Sequence, residues 1–400
     1  MSTESDSHDD QPVHPRALNS NSARIEPFDW YKDMRATSPI RYDERREVWD
    51  VFDYETISEI LMDPNTFSSE RNEDRDGAPS MLSSDPPKHT ELRTPVADFF
   101  TGNAVAPLAP KIRRTADSLL KDVVDKGEMD VVWDYAYQLP IMTIADLLGV
   151  PPADREKFKT WSDTVVTSGQ LANRDASEVD AQQTTVVDEM DEYFRTVIET
   201  RRTDPQDDLI SKVLMEEDRG QSLTTDELLV LFRLLLIAGN VTTTNLITNG
   251  VWCFTNHDVI SAVRHDEELR KLATEEVLRY RSPVQRTSRI ALEDTKINGH
   301  QISKGEQIVT WIGSANRDED VFEDSGSFIP DRKPNPHMAF GRGIHICLGA
   351  PLARLEAQIA FDVLFDHIEN VSLVDMEYEP LPSTFLYGVR NLPITFDQRT

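Results

Sequence analysis

One stretch of the chain, residues 224–257, most constrains how the chain can fold. Thr224 and Glu227 form a capping box, which predicts that a helix starts here. Residues 228–238 read LLVLFRLLLIA and are apolar almost all round, a pattern typical of a helix buried in a protein core. At about 1.5 Å per residue the predicted helix is roughly 50 Å long. We therefore expect one large domain to be built around it.

The middle of this predicted helix is polar although its surroundings are apolar. Residues 238–244 read AGNVTTT, and together with Arg233 these side chains argue against a membrane span. Threonine hydroxyls that bond back to the preceding turn, next to a glycine, weaken the helical hydrogen-bond ladder. We therefore predict a local bulge here, which indicates either a bound ligand or a plain structural kink.

Charge limits the partners that the protein can bind. Its 400 residues include 42 Lys and Arg and 71 Asp and Glu, so the formal net charge is −29 at pH 7. Phosphate recognition needs clustered cations, which argues against binding to nucleic acid or to an anionic membrane. Only 12 of the basic residues are Lys, and the acids are spread along the chain. This composition resembles that of halophilic proteins, whose carboxylates are screened by salt; an ordinary acidic cytoplasmic protein is the alternative.

The cysteine count and the N-terminal residues indicate the cellular compartment of the protein. Cys253 and Cys347 are too few for a disulfide framework and indicate a reducing environment. The first 24 residues are polar and lack the apolar region of a secretory signal. We predict a mobile segment over residues 1–24 and a single domain over residues 25–400. The protein is expected to be a cytoplasmic monomer.

Hydrophobic periodicity predicts a mainly α fold with a minor antiparallel β component. Segments 39–42 and 48–52 form a predicted hairpin, which a helix over residues 54–62 follows. Residues 105–202 are mostly helical in pattern, with breaks at Gly127, at 149–152 and near 168–182. Residues 284–313 contain Asn-Gly and Lys-Gly turns and predict a small antiparallel sheet; residues 381–396 predict a second hairpin.

The densest motif is FGRGIHICLGAPLAR at residues 340–354. Its glycines allow tight turns and close approach by a flat group. Pro351 fits the first turn of a helix, so Cys347 is expected just before a helix N-terminus, which stabilises a thiolate. A dinucleotide loop would need a glycine at Ile346, and His345 is poorly spaced to activate a nucleophilic cysteine. A lone thiolate in a rigid loop suits haem iron.

This segment resembles the haem-ligand loop of the cytochrome P-450 family, Phe-Gly-x-Gly-x-His-x-Cys-x-Gly, and matches it at every defined position. Glu276 and Arg279 match the Glu-x-x-Arg helix of that family. The stretch DPPKHTELR at 85–93, and residues 315–318 with Phe322, resemble further family segments in the right order. The resemblance covers about residues 25–400 and implies the cytochrome P-450 fold in a single large domain.

The resemblance implies haem b, iron protoporphyrin IX, as the cofactor, with Cys347 as the iron ligand. It also implies a gathering of cations for the two haem propionates. Two of these, His89 and Arg93, are spaced to share one helix face. Glu276 and Arg279 are expected to form a structural network behind the cysteine loop. The implied haem-binding residues are His89, Arg93, Ala238, Gly239, Arg289, Phe340, Gly341, His345, Cys347 and Gly349.

Thr242 matches the threonine that lies beside the oxygen site in this family. The resemblance implies that it helps to deliver protons to dioxygen. An acid usually precedes this threonine, but here the residue is Val241, which cannot relay protons. Asn240, Thr243 or water chains are candidate substitutes. The other interpretation is that the acid is dispensable in this protein.

The resemblance implies a haem-thiolate monooxygenase that inserts one atom of dioxygen into a small or medium apolar substrate. Electrons are expected from a separate ferredoxin with its reductase, since no reductase module is found in the chain. By family analogy, residues 78–84, 235–241, 284–287 and 384–386 line the substrate pocket. A peroxide-using haem-thiolate enzyme, which Val241 makes conceivable, and a haem-binding sensor without turnover are the alternatives.

Overall fold

Helices form most of the structure, a computed structural model that describes residues 15–71, 77–167, 181–216, 220 and 222–399. Several begin at side-chain caps: Asp53, Asp208 and Asp266 each accept a hydrogen bond from a backbone N–H of the first turn. In chain order the helices are α1 (Asn21–Ile25), α2 (Phe28–Thr37), α3 (Tyr54–Met62), α4 (Lys88–Ala97), α5 (Gly102–Val105), α6 (Ala109–Lys121), α7 (Gln138–Leu147), α8 (Arg155–Thr167), α9 (Ala181–Thr203), α10 (Leu209–Met215), α11 (Thr225–Asn256), α12 (Ile260–His265), α13 (Glu267–Tyr280), α14 (Ile312–Ala315) and α15 (Ala350–His367).

Helix α11 is the central element and has the extent that the sequence predicts. Thr224 and Glu227 form the predicted capping box, and α11 packs against α7, α8, α9, α13 and α15. Its backbone stays α-helical throughout, so the predicted bulge is wrong. The hydroxyls of Thr242 and Thr244 do donate to carbonyls one turn back, at 2.9 and 3.0 Å. The same carbonyl oxygens also accept the backbone hydrogen bonds of the helix, and these backbone bonds stay intact.

By length and composition, α11 could also cross a membrane. An 18-residue window of it has a mean hydropathy of 1.5, but 61% of that window is buried inside the protein. Such burial is typical of a core helix, as the sequence predicts.

The strands form two small sheets and one hairpin among the described residues. They are β1 (Ile40–Asp43), β2 (Val48–Val51), β3 (Phe67–Ser68), β4 (Glu128–Asp130), β5 (Thr287–Ala291), β6 (Thr295–Ile297), β7 (His300–Ile302), β8 (Gln307–Thr310), β9 (Ile368–Leu373) and β10 (Pro393–Gln398). The larger sheet has the order β1-β2-β8-β5-β3, and the smaller has the order β4-β10-β9. The β2–β8 pair is parallel, so the larger sheet is mixed and not purely antiparallel. The long stretch of chain between these two strands makes parallel pairing possible.

Two of the three predicted β regions are confirmed. β1 and β2 form the first hairpin, with Ile40 opposite Val51, and β5 pairs antiparallel with β8. Asn298 and Gly299 make the turn between β6 and β7, both with positive φ. The predicted hairpin over residues 381–396 is only partly present: Pro380 and Val389 form an isolated antiparallel bridge, whereas β10 pairs with β4 and β9. These strands offer β10 a partner on each side.

The packed part of the chain begins before the predicted boundary at residue 25. Residues Arg16–Leu18 form a 3₁₀ turn, and Leu18 is buried in a cluster with Tyr31 and Trp311. Burial of this one apolar side chain in an otherwise polar segment anchors the turn. Residues 1–14, and residues 168–180 of the predicted helix break, lie outside the described residues.

Replacing Gly250 in α11 by Ala tests the close packing between α11 and α15. A Cβ atom at this position would collide with the buried ring of Phe361, which itself packs against Phe254. We expect Gly250→Ala to lower the free energy of unfolding by about 1–3 kcal/mol, as overpacking does. Urea denaturation measures the change. The control is Gly102→Ala, whose new Cβ meets no atom within 4 Å; equal stability of the two variants would contradict this packing.

Candidate active site

The loop before Cys347 turns sharply at its glycines. Gly341 and Gly343 have φ values of +74° and +69°, a left-handed conformation that favours glycine. A Cβ atom at residue 343 would also collide with the backbone carbonyl of Leu61 in α3. The N–H of Cys347 donates to the carbonyl oxygen of Phe340 at 2.8 Å. This hydrogen bond closes the loop and fixes the backbone that carries the cysteine.

Cys347 is exposed, and it lies three residues before α15 begins at Ala350. Although accessible, its sulfur is surrounded by protein atoms, and this burial raises the pKa of the thiol. Backbone N–H groups of Gly349 and Ala350, together with Arg93, oppose the shift without reversing it. The N–H groups at the start of α15 therefore favour the thiolate, as predicted, but burial of the sulfur outweighs them. A directly bound metal ion would deprotonate this thiol.

Three predicted cofactor-binding side chains meet beside this loop. His89 and Arg93 lie one turn apart in α4, and both face the loop. The rings of His89 and His345 pack edge to face, with their centroids 4.4 Å apart. Arg93 Nη2 donates to the carbonyl oxygen of Ile346, next to Cys347, at 2.8 Å. Helix α4 is therefore held directly against the cysteine loop.

The arginines carry the positive charge of this cluster. Burial, with Arg93 nearby, lowers the pKa of His89; burial, with Arg289 nearby, lowers the pKa of His345 to about 3. Both imidazoles are neutral at pH 7, which corrects the expectation that all four groups are cations. Arg289 in β5 is 5% exposed, and burial lowers its pKa to about 10. It therefore stays charged.

Two buried nitrogen atoms without a hydrogen-bond partner show what this cluster can hold; among the described residues the nearest carboxylate oxygen to either, Oδ1 of Asp85, is 3.9 Å from Nε2 of His345. The Nε2 atoms of His89 and His345 are buried and have no hydrogen-bond partner among the described residues. Buried polar groups are nearly always hydrogen-bonded, so a further group belongs here. Arg93 and Arg289 have no carboxylate partner within the described part of the chain. Two guanidinium groups and two imidazoles fit an anion with two carboxylates, such as the propionates of haem.

A stripe on α11 stays accessible although the helix crosses the core. Ala238 and Thr242 are partly accessible and Gly239 is exposed, whereas Asn240 and Val241 between them are buried. A Cβ atom at Gly239 would meet no atom within 4 Å. The stripe therefore borders open space inside the fold, which fits a flat cofactor lying against α11.

Asn240 and Thr243, the predicted substitutes for the missing acid, lie on the packed sides of α11. Asn240 is 0% exposed, and its side-chain oxygen lies 3.4 Å from the hydroxyl of Thr244. Thr243 is 2% exposed and hydrogen-bonds to Glu356 of α15. Thr242 faces the accessible stripe, but its hydroxyl donates to the carbonyl of its own helix one turn back. With that proton used, its oxygen is left as an acceptor.

Accessible and buried side chains alternate in the predicted substrate-facing segment 284–287. Val284 and Thr287 are partly accessible, whereas Gln285 and Arg286 are buried. Gln285 accepts from the hydroxyl of Tyr31 at 2.9 Å, and Arg286 donates to another residue of the predicted pocket, Thr384, at 3.0 Å. Only Val284 and Thr287 of this segment are free to meet a substrate, and they offer an apolar and a hydroxyl surface.

Behind the loop, Glu276 and Arg279 form an ion pair with both side chains 0% exposed. The two hydrogen bonds between them are 2.7 and 2.8 Å long. Arg279 also donates to the backbone carbonyls of residues 316, 325 and 327. Arg332 adds hydrogen bonds to Glu276 at 3.1 Å. This network fixes the segment that runs into the Cys347 loop.

Glu275, which the sequence analysis missed, ties the two ends of the loop together. It accepts hydrogen bonds from Arg354 of α15 at 2.7 and 2.8 Å and lies 3.0 Å from Nε2 of His337. Burial raises the pKa of Glu275, but these hydrogen bonds outweigh burial and lower the pKa to about 2. Its position beside Glu276, on the same helix, was the available sequence signal.

Glu356 is a second residue that the sequence analysis missed. It is 3% exposed in α15, and burial raises the pKa of its carboxyl to about 8 against the opposing hydrogen bonds of Thr143 and Thr243. An acid between Leu355 and Ala357, in the apolar stretch of a predicted helix, is the signal that could have found it.

Comparisons with known proteins identify the family. The cytochrome P450 family model matches residues 169–369. Cytochrome P450 109 from Bacillus spizizenii is 41% identical over 382 residues, which cover 94% of this chain and 93% of the relative. CYP109E1 from Bacillus megaterium, solved in complex with testosterone, has a TM-score of 0.86 at 44% identity and covers 94% of this chain and 99% of that one. P450BioI, solved with an acyl carrier protein that carries hexadec-9Z-enoic acid, has a TM-score of 0.87 at 34% identity, covering 94% and 99%.

The chain therefore belongs to the cytochrome P450 family. It is an oxidoreductase of that family, and its cofactor is the iron protoporphyrin IX haem. The predicted family, the mainly α fold and the cofactor are confirmed. The roles of individual site residues stay predictions.

Replacing Cys347 by Ser tests the assignment of the iron ligand. We expect the reduced wild-type protein with carbon monoxide to show the absorption band typical of thiolate ligation, and Cys347→Ser to lose it because a serine hydroxyl is a poor thiolate substitute. Cys253→Ala, in the buried part of α11, removes the other cysteine and should keep the band. A thiolate band that survives in Cys347→Ser would refute the assignment.

Proposed function

We propose that this protein is a haem-thiolate monooxygenase in which the sulfur of Cys347 would bind the haem iron. The accessible Cys347 lies in a rigid glycine loop, beside two imidazole Nε2 atoms that lack a hydrogen-bond partner and two arginines that lack a carboxylate partner among the described residues. This arrangement carries the proposal. Haem iron with a thiolate ligand supplies the cleavage of dioxygen. In the proposed site, His89, Arg93, Arg289 and His345 would hold the propionates, and Ala238, Gly239, Phe340, Gly341 and Gly349 would line the space for the ring.

Thr242 is proposed to organise proton delivery on the oxygen side. Its hydroxyl donates to the carbonyl oxygen of Ala238, so its oxygen can accept a hydrogen bond from a water in the open space beside α11. Val241 is 5% exposed and cannot exchange protons, so they must arrive through water or hydroxyl groups. Asn240 and Thr243 are the nearest polar side chains that could relay these protons. Both lie on the packed sides of α11 and not on its accessible stripe.

The proposed substrate is an apolar molecule of the size of a steroid. Val284 and Thr287 give the site a mixed apolar and hydroxyl wall. CYP109E1, which is 43–44% identical to this chain, has been solved with corticosterone and with testosterone. The fatty acyl chain in the P450BioI structure is the competing class, from a relative at 34% identity. Testosterone is therefore the first probe, and hexadecenoic acid the second.

We further propose a separate ferredoxin with its reductase as the electron source, and a cytoplasmic monomer as the working form. The match to CYP109E1 over 99% of that chain supports the same single-domain design. The net charge of −29 disfavours binding to nucleic acid or to an anionic membrane. Direct use of peroxide is the second candidate function, and Val241 at the position of the usual acid favours it.

Reconstituted turnover separates these functions. With NADPH, a ferredoxin, its reductase and testosterone, we expect a hydroxylated product that carries one oxygen atom from labelled dioxygen. In Thr242→Ala we expect reductant use to continue while peroxide release rises and product falls, since proton-transfer steps are worth about 10²–10⁴-fold. Thr255→Ala, which removes an equivalent back-bonded hydroxyl from α11, is the control.

Other outcomes favour the alternatives. Product formed with added hydrogen peroxide at a higher rate than with NADPH would establish the peroxide-using enzyme. Absence of product from either oxidant, with testosterone and hexadecenoic acid both shifting the haem spectrum, would indicate a sensor.

We also propose that the protein is adapted to high salt. Its excess carboxylates repel one another in dilute buffer. Salt screens this repulsion, because the Debye length falls from about 10 Å at 0.1 M to about 3 Å at 1 M salt. Glu55, Glu59, Asp122 and Asp125 illustrate the pattern, since all four are exposed and none forms an ion pair within the described part of the chain.

Salt should stabilise this protein by more than the general effect of salt on apolar surface. Between dilute buffer and molar KCl we expect the melting temperature to rise by several degrees. A variant with Glu55→Gln, Glu59→Gln, Asp122→Asn and Asp125→Asn should gain less over the same range, because fewer charges are left to screen. Equal gains in both proteins, measured by thermal unfolding, would defeat the halophilic interpretation.

A further inference from the structure

A small cavity that shares no residue with the site described above lies between α9 and the turn that connects α7 with α8. Its volume is about 190 Å³. One face of α9 lines it, because Tyr193, Val197 and Arg201 follow one another at intervals of one helical turn. The rest of the lining is mostly apolar and comes from the turn and from α10: Leu148, Val150, Pro151 and Ile210.

Hydrogen bonds and close packing hold one end of this cavity in place. Gly149 has a φ of +74°, and a Cβ atom there would collide with the side chain of Asp208, which caps α10. Asp208 accepts a hydrogen bond from Nε of Arg201 at 2.6 Å, and Nη2 of Arg201 donates to the carbonyl oxygen of Gly149 at 3.4 Å. These contacts join α9, α10 and the turn, and they compensate the charge of Arg201.

Asp154 carries the one uncompensated charge among the described residues that line the cavity. No cation lies within ion-pair distance of its carboxylate in the described part of the chain. The adjacent Arg155 pairs with Asp146 instead, and Nζ of Lys157 lies 4.9 Å from the ring centroid of Trp161. Asp154 immediately precedes α8, and the N-terminus of a helix stabilises a negative charge. The carboxylate is therefore kept ionised without a cation of this chain.

The hydroxyl groups on this face of α9 can only accept hydrogen bonds. Tyr193 donates to Oδ2 of Asp154 at 3.0 Å. Thr196 and Thr200 donate to carbonyl oxygens one turn back in α9, at 3.0 and 2.9 Å. A hydroxyl that has donated its proton is left as an acceptor. The cavity therefore complements a group with several donors, no acceptor and a positive charge.

We propose that this cavity is a binding site for a small organic ammonium ion with an apolar body. The ammonium group donates to Asp154, and the apolar body lies against Leu148, Val150 and Val197. The cavity is smaller than the sites of drug-sized ligands, which measure about 300–1,000 Å³, so the ligand is of the size of an aralkylamine. This inference goes beyond the proposed function and does not depend on it.

Two probes of the same shape test the charge of the ligand. They are 2-phenylethylamine, an ammonium ion at pH 7, and 2-phenylethanol, in which a neutral hydroxyl replaces the ammonium group. The haem-loaded protein is reduced and saturated with carbon monoxide, so that the amine does not bind the iron, and calorimetry measures binding. We expect the amine to bind with a dissociation constant of about 1 mM or tighter, and the alcohol to bind about tenfold more weakly or worse. Equal affinities, or no saturable binding of the amine, would overturn the proposal.

Three variants test the place of binding. Asp154→Asn should weaken amine binding about tenfold or more, because it removes the charge that the ammonium group meets. Glu156→Gln is the matched control, since Glu156 is an exposed acid in the first turn of the same helix and does not line the cavity. Val197→Trp fills the cavity and should abolish binding.

The outcomes of these variants are decisive in both directions. Wild-type affinity in Asp154→Asn would overturn the proposal, because the amine would then bind elsewhere, the haem pocket included. An equal loss in Glu156→Gln would also overturn it and would show only a general attraction of cations to an acidic surface. If Val197→Trp does not fold, as judged by its carbon monoxide band and melting temperature, the comparison of Asp154→Asn with Glu156→Gln still decides.

Discussion

The buried ion pair between Glu276 and Arg279 is the interaction on which the rest of the site depends. Neither side chain reaches water, so losing one partner would leave an uncompensated charge that costs about 3–5 kcal/mol. Arg279 also donates hydrogen bonds to three backbone carbonyls. Arg332, in the loop that follows, donates to Glu276. The adjacent Glu275 holds Arg354 on the far side of Cys347. A single turn of α13 thus fixes both ends of the cysteine loop.

The loop in turn needs two rigid walls, and α11 and α15 supply them. Gly250 lets the ring of Phe361 sit against α11, which brings the two helices into close contact. Nearer the N-terminus of α11, a Cβ atom at Gly239 would meet no atom within 4 Å, so this part of the helix borders open space. The same residue type therefore serves close packing at one turn and a cavity three turns earlier. Tight packing on one face of a buried helix makes an open stripe on another face possible, because the helix cannot shift to fill it.

Local patterns predict much of this structure, and long-range contacts decide the rest. The capping box at Thr224 and the periodicity after it fix the start of α11, and the glycine loop marks Cys347, since both are features of neighbouring residues. The parallel pairing of β2 with β8 and the burial of Leu18 depend on partners far away in the chain. The same holds for the site: the family resemblance implies a cluster of cations for the propionates, but only the fold shows that His345 is neutral.

Charge is distributed in opposite ways at the surface and inside this protein, and the two distributions have different physical causes. Acidic groups dominate the exterior, where water and salt screen them. Beside the cysteine loop, burial strips the protons from His89 and His345 and leaves Arg93 and Arg289 as the fixed charges, because a guanidinium keeps its proton even when buried. A dianionic cofactor would thus meet two permanent cations and two neutral imidazoles. The two arginines keep their charge throughout the neutral pH range, so they are the permanent electrostatic attraction for the carboxylates of such a cofactor.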